Sequence, residues 1–179
     1  MPTTITEALA ELKTIDKRLE KKQEQIGMHL LRQRTLVDPF DKEGGTVEMI
    51  KRERQAIADL QTRRVKIRTE ITRANLKETI TVGNQTKSIA EWLTWKRDVA
   101  PFITRQLGSI VNHINQYRKQ LAAKGLTVVS SSVQSDNRDE VLVQIDEAAL
   151  AKEIEDHETT LGGLDGQFSL KNATIVIDV

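Results

Sequence analysis

The sequence predicts an α+β fold that is mainly α-helical. Charged residues make up 30% of the 179 residues and aromatic residues only 3%, which favours aliphatic packing between charged helices. Apolar residues recur with helical spacing in three long stretches, and short β-branched runs with a period of two lie between or after them. We therefore expect one domain with three parts: a long helical hairpin (1–76), a β-hairpin and a kinked third helix (77–125), and an acidic β-hairpin with a C-terminal helix and strand (126–179).

The first part has the pattern of an antiparallel helical hairpin. The seam of the first helix repeats every seven residues at Ile5, Leu12, Leu19 and Ile26, with Leu9, Leu30 and the polar Asp16 and Gln23 on the interleaved positions. Pro39 and the pair Gly44 and Gly45 break the pattern, so this helix is expected to end near Leu36. Thr46 is the expected N-cap of the second helix, whose apolar face carries Ile50, Ile57, Leu60, Ile67, Ile71 and Ala74.

The second part begins where the period changes to two, over residues 79–82. Gly83 and Asn84 supply a tight turn, so residues 85–87 are expected to return as a second strand. Ser88 stands three residues before Glu91, the spacing of a capping box at the start of a third helix. The apolar stripe of this helix is broad, which predicts the centre of the core, and Pro101 is expected to kink it or divide it.

The third part is predicted to start with a second hairpin. Two β-branched runs, 127–133 and 141–145, flank a polar turn at 134–139. Asp146 is the expected cap of a shorter helix, which the pair Gly162 and Gly163 interrupts or ends. Residues 173–179 form a terminal strand that we expect either to join the second hairpin or to pair with a neighbouring chain.

The residue types argue against an enzyme. The absence of cysteine excludes disulfides, thiolate catalysis and cysteine-bound metals. The three histidines, His29, His113 and His157, lack a two-histidine metal spacing, and an enzyme or toxin activity would have to depend on His113 or His157. No apolar run approaches the roughly 20 residues that a membrane span requires. We predict a non-enzymatic protein without metal or cofactor, and no membrane partner.

Opposed charges favour self-association. Residues 1–133 carry 24 Lys/Arg against 15 Asp/Glu, or +9, whereas residues 134–179 carry 3 against 11, or −8. Together with the heptad seam and the terminal strand, this predicts a homo-oligomer. The predicted partner-binding residues are Ile175, Val176, Ile177, Trp92 and Trp95, although tryptophans three apart on a helix are more often core. The rival prediction is phosphate binding to nucleic acid by the second helix, through Lys51, Arg52, Arg54, Arg63, Arg64 and Arg68.

Several stretches resemble the septicolysin-like family of small helical bacterial and phage proteins. Glu7-Ala8-Leu9 with Lys17-Arg18-Leu19 is similar to the first helix of that family, and Ile71-Thr72-Arg73-Ala74-Asn75 is similar to its Ile-Asn-Arg-Thr-Asn stretch. Ser88-Ile89-Ala90-Glu91, later Arg97-Asp98, and the regions 141–150, 164–165 and 172–174 resemble its later helices and closing strands. The resemblance spans most of the chain and implies long helices with short strands and no catalytic residues. Pro101 and the last residues depart from the family pattern.

These observations lead to one main functional expectation. The chain is expected to be a structural or assembly protein that packs with itself and with other proteins of a phage virion, as a capsid-decorating, head or tail component assembled in the host cytoplasm. The first alternative is a nucleic-acid-binding accessory protein of the bacterial cytoplasm. The second alternative, implied by the resemblance, is a toxin-related protein.

Overall fold

Residues 2–130 and 140–179 are described by a computed structural model, and the chain divides into two compact units. The first unit comprises Met1–Lys77 and Ser169–Val179, and the second comprises Glu78–Phe168. Long helices dominate, and the strands of the described residues form small two-stranded pairs. The predicted mainly α-helical α+β class is therefore confirmed.

The first unit is built on the helical hairpin. Strand β1 (Pro2–Thr4) leads into α1 (Ile5–Met28), a 3-10 turn at Asp41–Glu43 precedes α2 (Gly45–Lys77), and β6 (Val176–Asp178) completes the unit. A capping box starts α1, because the Thr4 hydroxyl accepts from the Glu7 N–H at 3.2 Å while the Glu7 carboxylate accepts from the Thr4 N–H at 2.8 Å. The antiparallel arrangement of α1 and α2 is confirmed by two ion pairs, Glu11 with Arg63 and Lys22 with Glu53.

The core of this unit follows one seam of α1. Its buried residues are Ile5, Ala8, Leu12, Ile15 and Leu19, and they pack with the buried Ile67 of α2. The seven-residue repeat of the first seam is thus confirmed at Ile5, Leu12 and Leu19, whereas Ile26 is only half-buried, and the predicted interleaved row is wrong. The buried row lies on Ala8 and Ile15, whereas Leu9 is exposed and Asp16 faces Arg64 at 3.3 Å. The buried second row lies three residues after each residue of the first seam, and not four residues after it as predicted.

Helix α1 ends at Met28, eight residues before the predicted end at Leu36. Leu30 and Leu31 are 62% and 93% exposed, so a helix continued through them would bury no apolar face against the rest of the chain. Because most helical stability in proteins comes from such burial, the apolar pattern alone did not extend the helix. The carboxylate of Asp38, and not Thr46 as predicted, caps α2 by accepting from the Thr46 N–H at 3.0 Å.

The terminal strand pairs within its own chain. Strand β6 is antiparallel to β1, with Thr3 opposite Ile177, and Ile177 and Val179 are buried in the core of the first unit. Both predicted partners, the second hairpin and a neighbouring chain, are therefore wrong. The Pro-Thr-Thr segment that forms β1 is too short and too polar to be recognised as a strand from its pattern.

The second unit begins with the predicted hairpin. Strands β2 (Thr79–Val82) and β3 (Gln85–Ser88) are antiparallel and turn at Gly83, whose φ of 57° suits glycine. The capping box of Ser88 and Glu91 is confirmed at the start of α3 (Ile89–Thr94). The unit continues with α4 (Ala100–Ala122), β4 (Thr127–Ser130), β5 (Glu140–Val143) and α5 (Glu147–Thr174), of which residues 147–168 belong to this unit.

Pro101 divides the third predicted helix as expected. A π-helical segment, Trp95–Val99, separates α3 from α4, and Pro101 lies in the first turn of α4. The proline ring removes a backbone donor and crowds the preceding turn, which a wider π turn relieves. The expected burial of the whole stripe is wrong, because Phe102 and Tyr117 are exposed while Trp92, Ala100 and Leu107 are buried.

The second predicted hairpin is not a hairpin. Strands β4 and β5 pair in parallel, with Thr127 opposite Glu140 and Ser130 opposite Val143. Residues 131–139, which include the predicted turn and Val133, lie outside the described residues. Composition and alternation identify strands but carry no signal for their direction, so the antiparallel assignment had no physical basis beyond the polar turn.

Helix α5 is longer than predicted and unbroken. Asp146 caps it as expected, accepting from the N–H groups of Ala148 and Ala149 at 2.9 and 3.1 Å. The helix then passes through Gly162 and Gly163, where an interruption was predicted. A Cβ at Gly163 would lie 3.3 Å from Val82 Cγ1, so the glycine allows α5 to approach β2 closely. Close packing, with Leu164 fully buried beside it, maintains the helix.

Candidate functional site

The terminal strand is a poor partner-binding surface. Ile177 is buried and Ile175 packs against the same core, where the Ile5 N–H donates to the Ile175 carbonyl at 3.1 Å. Val176, with 59% exposure, is the member of the predicted set that faces outward. The structure therefore corrects the prediction that Ile175 and Ile177 bind a partner, because alternate residues of a strand point to opposite faces.

Most of the predicted phosphate-binding cations already face carboxylates. Arg63 forms a bidentate ion pair with Glu11, in which its Nε and Nη2 donate to the two carboxylate oxygens at 2.8 and 3.0 Å. The Arg64 guanidinium lies 3.3 Å from the Asp16 carboxylate. These pairs join α2 to α1. Two further cations pair near the start of α2, Lys51 with Glu48 and Arg52 with Glu43. Among the described residues, Arg54 and Arg68 have no such partner.

An exposed apolar cluster occupies the end of the helical hairpin. We call residues 28–37, which run from the last residue of α1 into the loop after it, the hairpin tip. Five large apolar side chains are exposed within these ten residues, and Leu31 and Val37 are 93% and 85% exposed. The other three are Met28, Leu30 and Leu36. Single exposed apolar residues are ordinary, but five within ten residues of sequence are typical of an interaction surface.

The hairpin tip is held in place by polar contacts. Arg32 donates to the Leu36 carbonyl at 2.5 Å, and the Leu36 N–H donates to the Gln33 carbonyl at 3.0 Å. On the far side, the Asp38 carboxylate accepts from the Thr46 hydroxyl at 2.7 Å, from the Thr46 N–H and from the Phe40 N–H at 2.9 Å. These hydrogen bonds lower the pKa of the Asp38 carboxyl from 3.8 to about 2.

Sequence reasoning missed the hairpin tip because it assigned residues 30–36 to the first helix. A signal was available in the apolar pairs Leu30-Leu31 and Leu36-Val37, both of which lie within the nine residues before Pro39. Apolar pairs beside a helix breaker have no regular element in which to be buried. Such pairs therefore indicate an exposed apolar surface.

A second apolar surface lies in the second unit, between α4 and the β4 and β5 pair. It is a hollow of about 500 Å³ whose walls are aliphatic and aromatic. Its lining includes Ile110, Ile114, Tyr117, Leu121, Val128 and Leu142. Tyr117 and Leu142 are 60% and 46% exposed, so the surface is open to a partner.

The two tryptophans do not share one role. Trp92 is fully buried, and its Nε1–H donates to the Ile80 carbonyl at 3.0 Å, so the prediction that it binds a partner is wrong. Trp95 is half-buried and meets Trp92 edge to face, with ring centroids 5.6 Å apart. The centroid of the His157 ring also lies 5.6 Å from that of Trp95. These contacts form a fixed aromatic cluster in which Trp95 remains partly accessible.

His157 completes this cluster as a structural residue. The Thr104 hydroxyl donates its single hydrogen to the Ala100 carbonyl at 3.0 Å, so it accepts from His157 Nε2, which lies 2.9 Å away. A histidine whose Nε2–H is used in this way is not available at that nitrogen as a base. Across residues 2–130 and 140–179, no three His, Asp or Glu side chains come close enough to hold a metal ion.

A polar-rimmed hollow adjoins the cluster, and we call it the indole hollow. It encloses about 570 Å³ within the second unit and lies between the β2 and β3 turn, Trp92, Trp95, Ile103 and α5. Its polar lining consists of Asn84, Gln85, Asp156, Thr159 and Thr160. The Thr160 hydroxyl donates to the Asp156 carbonyl at 2.8 Å.

Comparison of the chain with known protein families, with curated proteins and with solved structures found no match. None of the helices in the described part of the chain combines the length and apolar character needed to cross a membrane.

Proposed function

We propose that this protein is a non-enzymatic assembly protein that attaches to other protein subunits through the hairpin tip. The observation that carries the proposal is the exposure of five large apolar side chains within residues 28–37. A surface of this composition gains free energy when a partner removes it from water, by roughly 1.5–3 kcal/mol for each fully buried side chain. The apolar hollow between α4 and the β4 and β5 pair supplies a second surface of the same chemistry.

Preorganisation of the hairpin tip supports this role. Asp38 and Arg32 fix the backbone on either side of Leu36 and Val37, so the apolar side chains are presented from an ordered loop. An ordered surface loses less conformational entropy when it binds, which leaves more of the burial free energy for affinity. We therefore infer that the tip is shaped for a specific partner.

Mass photometry of the purified protein tests the proposal. We expect either a homo-oligomer or capture by a defined virion protein. The double substitution Leu30→Ser with Leu31→Ser should weaken the complex at least about 30-fold, because losing even 2 kcal/mol of burial changes an equilibrium by that factor. The matched control is Leu76→Ser, a residue of α2 with 64% exposure that lies away from the tip in sequence. A strict monomer that captures no virion protein would contradict the proposal, as would equal effects of the two variants.

The setting that we propose is a phage particle. Its support is the resemblance to small helical bacterial and phage proteins, together with surfaces suited to repeated subunits. The gene neighbourhood supplies an independent test. Capsid, portal or tail genes beside the coding sequence would support a virion component, whereas neighbours restricted to host metabolism would remove that setting.

Nucleic-acid binding is the second proposal, and Arg54 and Arg68 are the residues that favour it. Both belong to α2 and neither faces a carboxylate in the described structure, unlike Arg63 and Arg64. DNA affinity should fall steeply with salt and should weaken in the double variant Arg54→Ala with Arg68→Ala. Arg63→Ala is unsuitable for this test, because it breaks a contact between α1 and α2. No binding at low salt would remove the proposal.

A further inference from the structure

The indole hollow has a rigid aromatic wall. The two indole rings of this wall are held by the hydrogen bond from Trp92 Nε1–H to the Ile80 carbonyl and by the edge-to-face contact between Trp92 and Trp95. Trp95 begins the π-helical segment that precedes Pro101, and π turns of this kind are frequent at functional sites. The wall is therefore in place before any ligand binds.

The polar side chains around this wall are available to a ligand. The amides of Asn84 and Gln85, the carboxylate of Asp156 and the hydroxyl of Thr159 line the hollow. None of these four groups hydrogen-bonds to another residue in the described part of the chain. Asn84 and Gln85 lie at the turn and at the start of β3, and Asp156 and Thr159 lie on α5, so the four residues border the hollow from the hairpin and from the helix.

The charge of the lining restricts the ligand. Asp156 carries the only full charge among the lining side chains in the described part of the chain, and no Lys or Arg is among them. A phosphate or carboxylate ligand would therefore meet the Asp156 carboxylate. The Lys87 ammonium, which lies 4.5 Å from the centroid of the Trp92 ring, is engaged with that ring and is not part of the lining, so binding of an anion is disfavoured. The remaining classes are organic cations and neutral polar molecules.

The mixture of donors and acceptors separates these two classes. Amide NH₂ groups and the Trp95 Nε1–H donate, whereas amide oxygens, the Asp156 carboxylate and the Thr159 hydroxyl accept. An ammonium group only donates, so it would use the acceptors of the hollow and none of its donors. Hydroxyl groups of a polyol both donate and accept, and the C–H face of a sugar ring is apolar enough to lie against an indole.

We propose that the indole hollow is a binding site for a neutral sugar unit, with Trp95 as the stacking surface and Asp156, Asn84 and Gln85 as the groups that hold its hydroxyls. The volume of about 570 Å³ lies within the range of small-molecule sites and exceeds that of a single water. This site is independent of the assembly role, because no residue of the hairpin tip takes part.

Tryptophan fluorescence is a direct probe, since the chain contains two tryptophans and both line the hollow. The full-length protein is titrated with glucose, galactose and N-acetylglucosamine, and saturation-transfer NMR identifies the sugar protons in contact. Choline and inorganic phosphate serve as cationic and anionic comparison probes. We expect saturable binding of at least one neutral sugar and none of phosphate.

Three variants test the assignment of residues. Asp156→Asn keeps the shape of an exposed side chain and should weaken sugar binding about tenfold, the factor that corresponds to 1.4 kcal/mol. Trp95→Leu should abolish measurable binding, with circular dichroism as the check on folding. The control Glu153→Gln changes an exposed carboxylate of the same helix outside the lining and should have no effect. Binding of choline in place of sugars, binding of no probe, or sugar binding that survives Trp95→Leu would each overturn the proposal.

Discussion

The substitution Ile67→Ala tests the packing of the helical hairpin directly. Ile67 is 0% exposed and lies in the core cluster formed with Ile5, Ala8 and Leu12 of α1. The change removes three carbon groups, each worth roughly 0.8 kcal/mol when buried, and leaves a cavity that adds a further term. We therefore expect a loss of about 3 kcal/mol in the free energy of unfolding, within the range of 2–5 kcal/mol typical of such truncations.

Val65→Ala is the matched control for this prediction. Val65 lies two residues away on α2 and is 65% exposed, so its truncation should change stability by less than about 0.5 kcal/mol. Urea unfolding followed by far-ultraviolet circular dichroism reports the helices of both units. Because Trp92 and Trp95 belong to the second unit, tryptophan fluorescence reports that unit separately. A loss below about 1 kcal/mol for Ile67→Ala, or equal effects of the two variants, would refute the packing of α2 on this face.

Two further predictions concern the polar contacts. The hydrogen bonds from Thr46 that depress the pKa of Asp38 stabilise the folded chain fully above pH 3.8, and this stabilisation should be lost as the pH falls through about 2. Asp38→Asn should flatten that part of the curve of melting temperature against pH, and an unchanged slope would count against the cap. Trp92→Phe should lower the stability of the second unit by about 1–3 kcal/mol, because the fully buried indole loses its hydrogen bond to the Ile80 carbonyl and part of its packing volume, and chemical unfolding measures the difference.

The elements that the sequence predicted correctly depend on local chemistry. The capping box of Ser88 and Glu91, the turn at Gly83 and the division before Pro101 are each determined by residues within a few positions of one another. The heptad spacing of α1 was also readable, since burial on one face imposes a fixed period. Its second row was misplaced because Ala8 is small and contributes little to an apolar pattern, although it is fully buried.

The features that could not be predicted depend on long-range contacts. The pairing of β1 with β6 joins segments that are far apart in the sequence, and the residues Pro-Thr-Thr do not indicate which strand they pair with. The direction of β4 against β5 is equally invisible to local patterns. In the candidate sites, the basic residues of α2 were predicted as one surface, yet Arg63 and Arg64 face carboxylates of α1. Charge counts along a helix do not show which face meets another helix.

The pairing of β1 with β6 determines which mode of assembly costs less free energy. Lending β6 to a neighbouring chain would first withdraw Ile177 and Val179 from the core of the first unit, where both are buried. Each withdrawal costs roughly 1.5–3 kcal/mol before any new contact forms, in addition to the hydrogen bonds to β1. The hairpin tip has no such cost, because Leu31 and Val37 are already exposed to solvent in the folded chain. Attachment through side chains of the tip is therefore favoured over exchange of the terminal strand.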